Sequence, residues 1–346
     1  MKKTVLILTV LVWITACSKQ KRVARPITGV VVTTLYDDSI SIRAIAPGKG
    51  NVAFAGSKGY YGLYDSKTGL TKVNRQLFDT LVPSYRAVAF TDKDFFMLSI
   101  ESPALLYKTG TSGTMELVYK EEGPGVFYDA MHFWNDLEGI AIGDPVGGCL
   151  SIIISRDGGS TWKKVTCDKL PPVVHGEAAF AASNTNISSY RNHTWVATGG
   201  VKSRIFYSPD KGNSWQVFST PFTQGSPTKG IYSIDFFDDK NGFAIGGDYT
   251  DPENKRANKA ITTDGGKTWS LVADGAAPGY KSCVQYIPGR NARSLVAVGQ
   301  SGITVSNDNG KTWSELSKEG FYTLRFINDS TAYAAGKNRI ARLNFK

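Results

Sequence analysis

From residue 27 onward, apolar and polar residues alternate in short runs bounded by Gly, Asn, Asp and Pro, the pattern of half-buried strands. No stretch holds a 3.6-residue period long enough for a helix. The runs repeat as a unit: an aromatic-rich strand, a polar turn, a small apolar strand ending in glycine, a third strand, a tight turn and a fourth strand. Residues 231–272 show it well, with first strand 231–237, turn 238–241 and second strand 242–246. Matching first strands are expected near Ser41, Ser84, Phe127, Gly176, Ile231, Tyr280 and Phe321, at spacings of 43, 43, 49, 55, 49 and 41 residues. A fixed period of this length with four strands per unit predicts an all-β, seven-bladed β-propeller occupying residues 27–346. The last unit stops after its third strand, Arg339 to Phe345, so the β-branched run 27–34 is expected to supply the fourth and close the ring.

The tight turn is the most regular element. Its pattern S/T-x-D-x-G-x-S/T-W starts at Ser155, Ser208, Thr262 and Ser306, which gives four aspartate–tryptophan pairs: Asp157 with Trp162, Asp210 with Trp215, Asp264 with Trp269, and Asp308 with Trp313. A turn joining two strands needs a residue that accepts positive φ, which glycine does without steric cost. The aspartate can accept from N–H groups and hydroxyls that the turn would otherwise leave orphaned. The tryptophan brings a large apolar surface to the outgoing strand. The four copies resemble the Asp-box (BNR) motif of sialidase-like propellers, and the residue chemistry assigns them to folding rather than catalysis. The first two units keep only turn-like 65–69 and 110–113.

Together with 139–143, 242–246 and 332–336, these boxes make the chain resemble the photosystem II stability/assembly factor-like propellers. Bacterial members of that group carry loose labels such as oxidoreductase or BNR-repeat glycosyl hydrolase. The resemblance implies the fold and a habit of holding other proteins. A sialidase would need six units and an early arginine motif, which only 24–26 echoes. A dinucleotide fingerprint opening a helix is missing, so the redox label has no support from residues.

The first residues change the picture of where the ring works. Lys2 and Lys3 precede an apolar segment, 4–14, too short to be a permanent span. Ile14, Thr15 and Ala16 then lead into Cys17, a sequence that resembles the bacterial lipobox. That resemblance implies a signal peptide (1–16), a lipidated Cys17, a basic tether (17–26) and attachment to a membrane of the cell envelope. Ser18 in place of aspartate favours the outer membrane. The formal charge of +10 includes Lys2 and Lys3, and much of the rest sits in the tether. No like-charge block or basic–aromatic stripe marks a nucleic-acid groove. The three histidines, 132, 175 and 193, lack zinc-ligand spacing, so neither metal nor cofactor is expected. Continuing the box register places Cys149 opposite Cys167, neighbours that an oxidising envelope would allow to bond.

The loops between blades collect polar residues on one face. Arg43, Arg86 and Asp129 occupy equivalent positions of three successive first strands. Asp144, His175, Glu177, Asp248 and Tyr249 belong to the same mouth. Two functions follow. In the first, a monomeric, non-enzymatic disc uses Arg43, Arg86, Asp248 and Tyr249 to hold a protein or glycan partner of the envelope. In the alternative, a glycoside hydrolase or polysaccharide lyase uses Asp129, Asp144, His175 and Glu177 for acid–base work.

Overall fold

The computed structural model describes residues 25–110 and 113–346; Cys17 and the 1–16 leader lie outside them. Seven antiparallel sheets form the ring. Their innermost strands are Ala44–Gly48, Tyr85–Phe90, Tyr128–Phe133, Ile187–Tyr190, Lys229–Phe236, Cys283–Tyr286 and Thr323–Phe326, for blades 1 to 7. Apart from strands and turns, the described residues contain two single 3-10 turns, Ser57–Gly59 and Cys167–Lys169.

Each blade buries both faces against its neighbours, which gives seven inter-blade apolar clusters, and a smaller eighth gathers Phe180, Ala182, Tyr232 and Tyr280. The ring closes as expected. Val30–Ser41 pairs antiparallel with the C-terminal segment, Val30 opposite Phe345 and Thr34 opposite Ala341. That segment, Thr331–Phe345, doubles back near Asn338 (φ 66°), and the Phe345 N–H donates to Ser330 O at 2.8 Å.

The four repeated turns share one hydrogen-bond set. In blade 5, Asp264 Oδ1 accepts from the Thr268 N–H (3.0 Å) and the Thr262 hydroxyl (2.8 Å), while Oδ2 accepts from the Thr268 hydroxyl (2.6 Å). Asp157, Asp210 and Asp308 accept in the same way. The Trp269 indole donates to Gly266 O (3.0 Å) and meets Phe236 edge-on. Gly266 (φ 84°) and Gly310 (φ 81°) press on the preceding blade, where an added Cβ would lie 3.1 Å from Trp195 and 2.2 Å from Phe243. Glycine is required there by both conformation and space.

Two expectations need correcting. The outer strand of blade 3 is only Lys163–Lys164, paired as Ile153 with Lys164, one residue away from the expected register. Cys167 therefore leaves the sheet, and its 3-10 turn carries it to Cys149, with which it is bonded at a Cα separation of 5.5 Å.

The inner strand of blade 4 begins at Ile187, not near Gly176. Glu177–Ala178 instead pairs with Gly199–Gly200, which extends the sheet of blade 5. Residues 179–186 then run through the ring's axis. Ala182 O accepts from Arg43 of blade 1, and Asn184 donates to Val88 O of blade 2 and accepts from the Met131 N–H of blade 3. Thr185 bonds Ser233 of blade 5, Ser183 donates to Ser282 O of blade 6, and Thr323 of blade 7 donates to Ser183 O. This axial segment, built of turns and bends, is hydrogen-bonded to every other blade and divides the central passage into two mouths. Ala179, Ala181, Ala182 and Ser183 keep it slim enough to pass.

Candidate functional site at the loop-face mouth

The mouth on the inter-blade loop side opens into a cavity of about 720 Å³, within the range of ligand sites. Its floor is the axial segment, through Ala181 and Ala182. Three sectors surround it.

Arginines of blades 1 and 2 form the first. The Arg43 guanidinium lies 4.3 Å from the Tyr322 ring centroid and donates to Ala182 O at 3.3 Å. Arg86 has no hydrogen-bond or ion-pair partner among the described residues. Burial and the neighbouring Arg43 lower its pKa from the ordinary arginine value, with Asp129 acting in the opposite direction.

Carboxyls of blade 3 form the second sector. The bulge between Tyr128 and Ala130 carries Asp129, and the bulge between Gly143 and Pro145 carries Asp144. Bulges re-aim side chains, and Arg86 and Tyr232 stand at the corresponding irregularities of blades 2 and 5. Asp129 is fully buried, and neither oxygen finds hydrogen-bond geometry. Burial first, and the Asp144 charge second, push its pKa well above the carboxylate range; Arg86 and the Ala181 N–H offset part of this. Burial also raises Asp144 to about 6, against a 2.8 Å bond from the Ala179 N–H. Two carboxyls thus share a poorly solvated corner beside an unpaired arginine.

The third sector is aromatic. Phe180 stacks on Tyr232 at 4.1 Å between centroids, and Tyr280 and Tyr249 meet Tyr232 edge-on. Tyr249 is 55% exposed and overhangs the opening.

The structure therefore brings together Arg43, Arg86, Asp129, Asp144 and Tyr249 and leaves out three expected members. Glu177 has a fully buried carboxylate outside the cavity. It takes Arg204 in a bidentate pair, Nε to Oε1 at 3.0 Å and Nη2 to Oε2 at 2.5 Å, plus the Thr198 hydroxyl at 2.6 Å. With the Val174 N–H also donating to Oε2 at 3.0 Å, the carboxylate anchors a backbone and has no lone pair left for proton transfer. His175 is exposed and does not line the cavity. Asp248 accepts from the Thr250 N–H and hydroxyl within its own loop, so Tyr249 alone of that pair reaches the opening. Sequence reasoning missed Phe180, Tyr232 and Tyr280. The signal was the 55-residue spacing of the fourth unit, whose surplus is the axial segment.

The Sortilin-Vps10 family profile (sortilin, neurotensin receptor 3) matches residues 150–285, less than half the chain. No curated protein sequence matches. Among solved structures, YCF48 bound to D1 peptide superposes with a TM-score of 0.67 at 11% identity, covering 93% of this chain and 97% of that one. YCF48 from Cyanidioschyzon merolae gives a TM-score of 0.63 at 13% identity, covering 92% and 98%. The RRP9 WD40 repeats give 0.65 at 11%, covering 93% and 100%. At such identities these likenesses concern the fold, and by fold the chain is similar to propellers of both the YCF48 and the WD40 kind.

Proposed function

We propose that this chain is a lipid-anchored, non-catalytic envelope scaffold whose loop-face cavity receives a segment of a protein partner. The observation that carries the reading is Arg86, an unpaired guanidinium on the wall of a cavity that also offers an aromatic flank. A peptide supplies carbonyls, and often a carboxylate, for arginine, together with side chains for Phe180 and Tyr249. The structurally similar YCF48 bound to D1 peptide supports a peptide as the guest. The lipid on Cys17 would hold the disc at the membrane, where such a partner would be met.

A photo-crosslinking residue at Tyr249 in the full-length protein tests this, with one at Leu137, which is 61% exposed in the turn between the first two strands of blade 3, as control. The reading expects a discrete protein adduct from position 249 and none from 137. Equal labelling, or none from 249, would count against it.

A second reading, a carbohydrate-active enzyme, rests on Asp129 and Asp144, whose raised pKa values suit a general acid. With Glu177 tied to Arg204, it retains only those two groups. It requires turnover of an envelope or dietary glycan that disappears in Asp144→Asn.

A further inference from the structure

The axial passage has a second mouth, on the face of the repeated turns, and it is built differently. Three residues after Arg43 and Arg86 come Ala46 and Ala89. The matching positions on blades 3 to 7, each one residue before the inner strand ends, carry His132, Ser189, Asp235, Gln285 and Arg325. All seven converge on a cavity of about 300 Å³ that reaches Asn184 and Thr185 of the axial segment, with Phe90 and Phe133 among its walls. Two alanines thus face an arc of five polar side chains.

Structural duties take part of that arc's bonding capacity. An inner strand is the free edge of its sheet, so its N–H groups need partners. Asp235 Oδ2 accepts from the Tyr286 N–H at 2.7 Å, and Gln285 Oε1 from the Phe326 N–H at 2.8 Å, each reaching to the next blade. Ser189 Oγ meets His132 Nε2 at 2.5 Å. Arg325 donates to Leu324 O and Asn184 O at 2.8 and 2.9 Å. Those bonds leave over the Gln285 amide nitrogen, His132 Nδ1 and the second oxygen of Asp235.

These leftovers choose between ligand classes. All four terminal N–H groups of Arg325 are taken, by Leu324 O and the Thr323 hydroxyl on one nitrogen and by Asn184 O and Ser183 O on the other, so a carboxylate or phosphate finds no free fork. The Arg325 charge opposes a cation. Burial drops His132 to about 4, which leaves it neutral at physiological pH. A neutral guest offering both donors and acceptors along one edge, and C–H surface toward Phe90 and the alanine wall, satisfies what remains. The volume is at the lower end of ligand sites, enough for a single small ring.

We propose that this second mouth binds one neutral pyranose ring, independently of the loop-face cavity. Saturation-transfer NMR on the full-length protein with glucose, galactose, mannose and N-acetylglucosamine tests it. At least one of the four should show transfer. Ala46→Trp, which fills the cavity without removing a backbone partner, should abolish it. Asp235→Asn, which keeps an oxygen for Tyr286, should weaken binding at least tenfold, and Arg86→Gln at the other mouth should leave it unchanged. If Ala46→Trp melts early, Asp235→Asn decides alone. Absence of transfer from all four sugars, transfer that survives Ala46→Trp in a normally folded protein, or undiminished binding by Asp235→Asn overturns the proposal.

Discussion

One buried and one half-buried carboxylate in this ring, Glu177 and Asp144, have opposite energetics. Glu177 has its charge matched by Arg204 and its oxygens filled, so neutralising one partner leaves the other desolvated and alone. Glu177→Gln should therefore lower unfolding stability by about 3 kcal/mol in a denaturant titration. Asp144 is held against its preference. The folded protein keeps its proton up to about pH 6, whereas an unfolded chain releases it near 4, so the folded state binds more protons between those values. Stability therefore falls as pH rises through that window, and the cost persists above it. Asp144→Asn, which retains an acceptor for the Ala179 N–H, should raise stability at pH 7 by on the order of 2 kcal/mol and flatten the pH 4–6 slope in thermal melts. The sequence identified both residues as mouth carboxyls. Only the Arg204 contact, made across 27 residues, separates the anchor from the candidate ligand group.

At the scale of elements, the repeated turns act as local rivets. Asp264→Ala removes the acceptor for a backbone N–H and two hydroxyls and should cost about 2 kcal/mol. Trp269→Ala empties the wedge against Phe236 and should cost about 3–5 kcal/mol. Replacing Cys149 and Cys167 together by serine frees an 18-residue separation and should cost about 3 kcal/mol under oxidising conditions, and nothing once the parent is reduced. These elements were legible in the sequence because each is fixed by its own few residues. The axial segment was not. Its Asn184, Thr185 and Ser183 side chains bond to Val88, Met131, Ser233 and Ser282, and Ser183 O accepts from Thr323; these partners are spread over the whole chain, and a local pattern carries no trace of them. The blade 3 register slipped for a related reason. Two lysines make a short outer strand, and the disulfide, not sheet pairing, places Cys167.

For the whole molecule, closure by Val30–Ser41 makes the ring's integrity depend on its two ends meeting. Deleting residues 27–37 would expose the free edge of blade 7 and uncover Leu343 and Phe345, so a broad, early melt is expected in place of one cooperative transition. The axial segment adds a second tie, bonding at once to six blades, and gives both mouths a common floor. The fold, the seven units and the arginine–aspartate series at one mouth were readable from periodicity, because equivalent positions recur at nearly constant spacing. The aromatic flank was not, since Phe180 reaches the mouth only through the axial segment that breaks the period.

The central claim, that the loop-face cavity holds a protein partner through Arg86, is tested most directly by quantitative co-purification. Tagged full-length protein and its Arg86→Gln variant would be crosslinked in envelopes, gently solubilised and compared. The account predicts a stoichiometric partner with the parent and its loss, at least tenfold, from an equally stable variant. Purification of the propeller alone, or equal recovery of the partner by both proteins, would contradict it.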